Sequence, residues 1–221
     1  MAGKGVVVEF DFAAMDGAKL LFETTRTFLR ELDGIPFDEP VEAKFLAGKT
    51  YLDGLTALFA SVKTKKTSQK AARDLAEAFR AAVTAAAPQA VTAAFRNFVK
   101  TLTDRGLRVV IATRADLEVV CPAFGPLLNE RVAFYQETTD AYGALRWDSW
   151  RRACRDGGLR HLASLAVTGS GFGVKAALIA GMGSMAVVHD HVAYQDFGGA
   201  DAAVSELSGP TAKKALDILR V

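Results

Sequence analysis

Residues 162–182 read Leu-Ala-Ser-Leu-Ala-Val-Thr-Gly-Ser-Gly-Phe-Gly-Val-Lys-Ala-Ala-Leu-Ile-Ala-Gly-Met, and the apolar run Met-Ala-Val-Val-His follows at 185–189. Five glycines and Lys175 interrupt the region 162–188, which is the most apolar in the chain. A membrane-spanning helix needs about 20 predominantly apolar residues in a row. The interrupted pattern instead predicts a strand, a glycine-rich turn, a helix and a second strand.

Comparable apolar runs occur throughout the rest of the chain and alternate with helical patterns. The predicted strands are 5–12, 107–113, 131–135, 162–168 and 185–189, and the predicted helices between them are 89–104, 115–120, 148–156 and 172–182. Buried strands that alternate with helices are typical of a parallel sheet covered on both faces. We therefore predict an α/β fold with a Rossmann-like three-layer core.

Residues 18–86 break this alternation because they contain no convincing strand. Three stripes of apolar residues at helical spacing begin at Leu20, Tyr51 and Leu75. We expect a helical cap domain at 18–86, inserted into an α/β core formed by 1–17 and 87–221.

The composition excludes several classes of protein. Lys and Arg together number 27 against 25 Asp and Glu, a formal net charge of +2, so we expect no nucleic-acid partner, which would call for a basic stripe. Cys121 and Cys154 do not form a disulfide framework and fit a reducing compartment. Since the first residues lack the features of a signal peptide, we expect a cytoplasmic protein with no membrane partner. The oligomeric state stays open.

Ligands of an open parallel sheet bind outside the carboxyl ends of its strands. The segments that follow the predicted strands are therefore the candidate site: 9–16, 113–114, 143–148 and 168–175.

The first of these segments, Glu-Phe-Asp-Phe-Ala-Ala-Met-Asp-Gly at 9–17, resembles the opening motif Asp-x-Asp-Gly-Thr-Leu-x-Asp-Ser of haloacid dehalogenase-type (HAD) hydrolases. The nearest group is that of the phosphoglycolate phosphatases and β-phosphoglucomutases, which carry a helical cap. The resemblance places Glu9 at the position of the nucleophilic aspartate and Asp11 at that of the general acid. The register with Asp11 as nucleophile leaves Ala13 at the acid position and fits worse.

Three further segments resemble later motifs of the same family. The resemblance gives Thr113, at the end of the run 109–113, a phosphate-binding position. In 143–150 the frame of Gly-Lys-Pro-x-Pro-Asp-x-Phe is recognisable, but Ala144 stands in the place of the lysine. The match over 168–182 is the longest; it places Ser170 in a phosphate-binding loop, and it places Gly169 where the family has a metal-binding aspartate.

These substitutions imply that the phosphoryl-transfer site is degenerate. Our first hypothesis is a non-catalytic or strongly impaired pseudoenzyme without a resident metal, which binds a small phosphorylated molecule or another anion, or acts as an interaction protein. The alternative is an active Mg²⁺-dependent phosphatase or phosphomutase on a small phosphate ester, with Glu9 in place of aspartate. Arg114, Arg146 and Lys175 could supply positive charge to the site, but a surface position is the favoured interpretation of all three.

Two other motifs predict no separate site. Residues 169–173 contain three glycines, but Val174 stands where the dinucleotide-binding pattern Gly-x-Gly-x-x-Gly has its third. His189 and His191 flank an aspartate, but no third ligand for zinc is identifiable, and we interpret the segment as a loop.

Overall fold

A computed structural model describes residues 3–139 and 141–221, so residues 1, 2 and 140 of the predicted core lie outside the described residues. Six strands form one sheet: Gly3–Glu9 (β1), Arg108–Thr113 (β2), Val132–Gln136 (β3), Leu159–Thr168 (β4), Gly183–Val187 (β5) and Ala202–Val204 (β6). Their order is β3-β2-β1-β4-β5-β6, and every neighbouring pair is parallel. The parallel sheet confirms the predicted α/β fold.

Ten α-helices accompany the sheet in the described residues: Phe10–Ala13 (α1), Gly17–Asp33 (α2), Glu39–Phe45 (α3), Tyr51–Val62 (α4), Ser68–Ala90 (α5), Ala93–Asp104 (α6), Leu117–Phe124 (α7), Trp147–Asp156 (α8), Gly171–Ile179 (α9) and Gly209–Leu219 (α10). Short 3-10 helices lie at Gly125–Leu127 and Asp190–Val192. Among the described residues, no helix has both the length and the apolar character to cross a membrane.

The two faces of the sheet have separate apolar cores. Trp150 and Cys154 of α8 and Ala177 of α9 pack with Val7 on one face. The other face belongs to a larger cluster, which joins Val8 to side chains of α2 to α6 and of α10. Because strand residues alternate between the two faces, the apolar run of β1 fills both cores. The resulting helix–sheet–helix layers position the carboxyl ends of the strands along one edge.

The segment 18–86 contributes most of α2, all of α3 and α4, and most of α5. Side-chain oxygens cap the starts of α2 and α4: Asp16 accepts from the Lys19 N–H at 3.2 Å, and Thr50 accepts from the Asp53 N–H at 3.0 Å. Capping of this kind satisfies N–H groups that the first turn leaves without partners. The predicted boundary at residue 86 falls inside α5, and the division into cap and core stays a prediction.

The helical segment is attached to the core by polar contacts as well as by the shared apolar cluster. Thr50 forms an antiparallel bridge with Ala141. The Tyr142 hydroxyl donates to Glu42 at 2.9 Å and lies 3.2 Å from the Thr25 hydroxyl. In this structure the helical segment therefore covers the edge of the sheet where the carboxyl ends of the strands lie.

Three predicted elements need correction. The first strand ends at Glu9 and not at residue 12, since Phe10–Ala13 turn into a helix. The helix predicted at 89–104 is two helices, because α5 ends at Ala90 and Thr92 caps the start of α6. Strand β6 and helix α10 were not predicted at all.

Candidate active site

Glu9 and Asp11 lie two residues apart in the sequence and on different elements. Glu9 is the last residue of β1, and Asp11 belongs to the single helical turn α1 that follows it. Both side chains are completely buried, with 0% exposure. The carboxyl end of the central strand therefore carries two carboxyl groups without contact to solvent.

Both oxygens of Glu9 accept hydrogen bonds from the chain itself. Oε1 accepts from the Leu145 N–H at 2.7 Å, and Oε2 accepts from the Thr168 hydroxyl at 2.5 Å. Burial raises the pKa of Glu9 to about 7, against the opposing influence of Arg114 and of these two hydrogen bonds. Burial thus favours the protonated form of Glu9, and the neighbouring donors hold the group in one place.

Asp11 also accepts a hydrogen bond at each carboxylate oxygen, in this case from residues at the end of the neighbouring strand β2. Its Oδ1 accepts from the Thr113 hydroxyl at 2.5 Å, and its Oδ2 accepts from the Arg114 N–H at 2.7 Å. Burial raises the pKa of Asp11, and the charge of Arg114 opposes that rise. The structure therefore brings together Glu9, Asp11 and Thr113, as expected from their positions at the ends of parallel strands.

Arg114 lies buried between the two carboxyl groups, so its interpretation as a surface residue is wrong. Its residue exposure is 6%, and Nη1 lies 3.4 Å from Asp11 Oδ2 and 3.8 Å from Glu9 Oε1. The Phe12 ring covers the guanidinium at 5.5 Å. Burial lowers the pKa of Arg114, but Asp11 and Glu9 together raise it above its usual value. The guanidinium is thus a permanent internal cation for the pair.

The two other candidate cations lie on the surface. Arg146 pairs with Asp148 at 3.5 Å, and Lys175 pairs with Asp196 at 3.1 Å; the side chains of both basic residues are about half exposed. Only Arg114 of the three neutralises the buried carboxyl groups.

Gly169 lies against the backbone of α1, and this contact limits what can stand at its position. A Cβ atom built on Gly169 would approach the Phe12 carbonyl oxygen to 1.8 Å and its carbon to 2.6 Å. Backbone atoms cannot move aside as the end of a side chain can, so no aspartate fits there in this conformation. The same carbonyl oxygen lies 3.0 Å from His189 Nε2.

Ala144 occupies a buried position at the edge of a hollow. Its exposure is 6%, and the hollow of about 290 Å³ beside it is also lined by Trp147, Phe172 and Lys175. The side chain of Ala144 has no polar atom, so it can neither bind phosphate nor hold the nucleophile in place. Position 144 therefore cannot neutralise the charge of a bound phosphate.

The glycine-rich loop before α9 donates to a side chain of the protein. The Gly171 N–H donates to Gln195 Oε1 at 2.8 Å, and the Ser170 hydroxyl lies 3.4 Å from the same oxygen. Gln195 was not predicted to take part, because it follows no strand in the sequence. The phosphate-binding roles of Ser170 and Thr113 stay predictions, but in this structure their donors face Gln195 and Asp11.

The described residues do not fit a magnesium ion at the strand ends. Magnesium requires several oxygen ligands in near-octahedral geometry. Glu9 turns its oxygens to Leu145 and Thr168, Gly169 contributes no side chain, and the Arg114 cation already lies beside both carboxyl groups. Across 3–139 and 141–221, no group of three or more His, Cys, Asp or Glu side chains could hold a metal. His191 instead packs on the ring of Phe22.

No protein-family model and no curated protein sequence matches the chain. Solved structures match over almost its full length. CbbY from Rhodobacter sphaeroides in complex with phosphate is 18% identical with a TM-score of 0.66, and covers 94% of this chain and 95% of its own. β-Phosphoglucomutase from Clostridium difficile is 10% identical with a TM-score of 0.71, over 98% of both chains.

A third match carries the family name itself. The HAD hydrolase of family IA, variant 3, from Entamoeba histolytica is 15% identical with a TM-score of 0.66, over 99% of this chain and 100% of its own. At identities this low the likeness shows the fold alone, and that fold is the one that the resemblance of the strand-end motifs predicted. The chain therefore has the fold of the haloacid dehalogenase-like hydrolases, a Rossmann-like core that carries a helical cap.

Proposed function

We propose that this chain is a HAD-fold protein that does not transfer phosphoryl groups, and that its strand-end carboxyl groups are part of the structural core. The observation that carries this conclusion is the state of Glu9. Its exposure is 0%, and each oxygen accepts a hydrogen bond from the chain, at 2.7 Å and 2.5 Å. A nucleophile must instead point an oxygen toward a phosphorus atom.

The chemistry of phosphoryl transfer supports this conclusion. Such reactions depend almost entirely on positioning and on neutralising the charge of the phosphoryl group. Glu9 is one methylene longer than aspartate, and a displacement of about 1 Å can reduce a rate by about 10²-fold. Ala144 and Gly169 contribute neither an ammonium nor a carboxylate. Arg114, the buried cation at these strand ends, is already paired with Asp11 and Glu9.

An active Mg²⁺-dependent phosphatase or phosphomutase is the second candidate, favoured by the fold of the solved relatives and by Asp11 at the general-acid position. For this activity the segment 18–86 would have to move away from the strand ends. Glu9 would also have to leave both of its hydrogen-bond donors. Arg114 would then face a metal ion at close range, and two cations at one site repel each other.

A turnover assay separates the two candidates. The purified protein and a Glu9→Gln variant are incubated with an aryl phosphate and magnesium chloride. We expect both proteins to release phenol at the same background rate, with or without magnesium. Magnesium-dependent turnover in the parent that the Glu9→Gln change abolishes would establish the enzyme.

A restoration experiment is constrained by the structure. The double variant Glu9→Asp with Ala144→Lys returns two family residues, and we expect it to stay inactive because position 169 cannot take a third. Turnover in the double variant would show that the reaction does not need a carboxylate at position 169, and the proposal would be wrong.

A further inference from the structure

Helix α9 is apolar on its exposed side as well as on its buried side. Lys175 carries the only charge among its nine residues. Val174 and Ala177 are fully buried, whereas Phe172 is 41% and Ile179 65% exposed. A helix that is apolar all round is normally covered on every side. The exposed side of α9 therefore has the composition of a buried one.

The exposed apolar side chains lie together and line one recess. The hollow of about 290 Å³ described beside Ala144 is lined by Phe172 and Ile179 of α9 and by Trp147 at the start of α8. Trp147 is also exposed. Large apolar side chains that are exposed together mark a surface that binds something, whereas single ones scattered over a surface do not. We name this hollow the α8–α9 recess.

The charged side chains that line the α8–α9 recess are all basic. They are Lys49, Arg146 and Lys175, and among the described residues no Asp or Glu lines it. Carboxylates compensate two of the three: Asp148 lies 3.5 Å from Arg146, and Asp196 lies 3.1 Å from Lys175. Lys49 instead donates to a backbone carbonyl oxygen, that of Lys44, at 3.1 Å.

Arg151 and Arg152 of α8 add to this positive charge. The guanidinium of Arg151 lies over the Trp147 ring at 5.2 Å and donates to the Ala180 carbonyl at 3.4 Å. In the described part of the chain it has no carboxylate within ion-pair distance. Arg152 lies 3.3 Å from Asp148, the same carboxylate that Arg146 contacts. The basic side chains around the recess therefore outnumber the acidic ones.

Apolar walls and an excess of positive charge decide which kind of partner fits. A second copy of this chain that docked through the same face would bring like charges together. A bilayer takes up apolar side chains that project into it, whereas Phe172 and Trp147 line a recess. A recess receives side chains that project from the partner. We propose that the α8–α9 recess docks an amphipathic peptide segment of another protein, with apolar side chains in the recess and carboxylates beside its basic rim.

This docking surface goes beyond the loss of phosphoryl transfer. It uses the exposed side of α8 and α9, and it does not use the carboxyl groups of Glu9 and Asp11. Trp147 is of the residue type that most often contributes a large share of the binding free energy at protein interfaces. An apolar face of a peptide helix that inserts into an apolar groove is a common mode of peptide recognition.

The proposal is tested by selection with the whole protein. The immobilised protein is exposed to a displayed library of random 16-residue peptides, and the retained peptides are sequenced. We expect enrichment of peptides that combine Leu, Phe or Trp with several Asp or Glu. A selected peptide is then synthesised with a fluorescent label, and its Kd is measured by anisotropy. Its affinity should fall as sodium chloride is added, because salt screens exposed charges.

Two pairs of variants link the binding to the recess. Ile179→Glu places a carboxylate in the apolar wall, and we expect at least about a tenfold weaker Kd. Its control is Val119→Glu, an exposed residue of α7, which packs on the other face of the sheet. Lys49→Glu should weaken binding to a smaller extent, and Lys213→Glu on α10 is its control. Both controls should bind as the parent does.

Several results would overturn the proposal. They are a selection that enriches no peptide, selected peptides rich in Lys and Arg, and equal affinities of Ile179→Glu and Val119→Glu. Sedimentation velocity and vesicles of phosphatidylserine with phosphatidylcholine test the other occupants. Self-association or vesicle binding that Ile179→Glu abolishes, without a selected peptide, would assign the recess to a second copy or to a membrane. Because these readouts measure binding, they are independent of the turnover assay.

Discussion

The two sides of Arg114 show opposite ways of placing polar groups inside a protein. On the Nη1 side, Glu9 and Asp11 have every oxygen satisfied by Leu145, Thr168, Thr113 and the Arg114 backbone. On the side of Nε and Nη2, both nitrogens are buried without a hydrogen-bond partner among the described residues. Satisfied buried groups stabilise one conformation, whereas unsatisfied buried groups cost free energy. The carboxyl side of Arg114 is thus closed by hydrogen bonds, whereas its other side leaves two donors unsatisfied.

The strongest test of this difference removes the shared cation. Arg114→Met leaves Glu9 and Asp11 buried without a positive charge, and breaking a buried pair in this way costs about 3–5 kcal/mol. We expect a loss of that size in the free energy of unfolding, measured by urea denaturation at pH 8. The control Arg146→Met removes an exposed partner of Asp148 and should cost less than about 1 kcal/mol. Equal effects of the two variants would contradict a central role for Arg114.

The pH dependence of the free energy of unfolding tests only the Nη1 side of Arg114, where Glu9 and Asp11 lie. The pKa of Glu9 rises from 4.5 to about 7 on folding, so the folded state binds this proton more tightly than the unfolded state. The stabilisation that results is complete below pH 4.5 and is lost as the pH rises through 7, a change of about 3 kcal/mol. Glu9→Gln cannot take up this proton. Its free energy of unfolding should therefore rise relative to that of the parent by about 3 kcal/mol as the pH goes from 4.5 to 7.

Chemical denaturation at a series of pH values gives the required free energies. The control Glu31→Gln changes an exposed side chain on α2 and should follow the parent at every pH. A constant difference between Glu9→Gln and the parent would mean that Glu9 ionises equally in the folded and unfolded states.

Gly169 tests how tightly the closed side is packed. In Gly169→Ala the new methyl group meets the Phe12 carbonyl oxygen at 1.8 Å, and overpacking of this kind costs typically about 1–3 kcal/mol. We expect thermal unfolding to show the loss for Gly169→Ala and at least as large a loss for Gly169→Asp. Gly209→Ala is the control, since its methyl would have no neighbour nearer than 3.9 Å. A neutral Gly169→Ala would show that α1 can move.

The smallest effect separates two threonines, one on each side of Arg114. Thr113→Val removes a hydroxyl that donates to the buried Asp11, which should cost about 1–3 kcal/mol. Thr139→Val removes a buried hydroxyl without a partner, and the stability of the protein should change by less than about 0.5 kcal/mol. Urea denaturation of the two variants in parallel checks the contrast, and a reversal of their order would contradict it.

The fold could be predicted because its signals are repeated along the chain. Apolar strands, each followed by a helix, and the long motif over 168–182 all indicate the same architecture. Strand β6 was missed because it has only three residues, two of them alanine. Helix α10 had a usable signal: Ser208 and Thr211 form a capping box around Pro210.

The site was only partly predictable, since sequence motifs give positions but not the direction of a side chain. The strand ends correctly placed Glu9, Asp11 and Thr113 near one another. Nothing in a single sequence shows that Arg114 turns inward. Three further groups lie in loops: the Leu145 N–H, the Gln195 side-chain oxygen and the buried carboxylate of Glu137. No local sequence pattern determines the paths of these loops.

The most direct measurement of the central claim is the ionisation of Glu9 itself. In a protein labelled with carbon-13 at its side-chain carboxyl groups, the Glu9 signal is assigned by its disappearance in Glu9→Gln and followed by NMR across a pH titration. We expect it to titrate near pH 7 and to stay unchanged when excess magnesium chloride is added. A signal that titrates near 4.5 and shifts on addition of magnesium would show a solvent-exposed, metal-binding carboxylate, and the account of a closed site would be wrong.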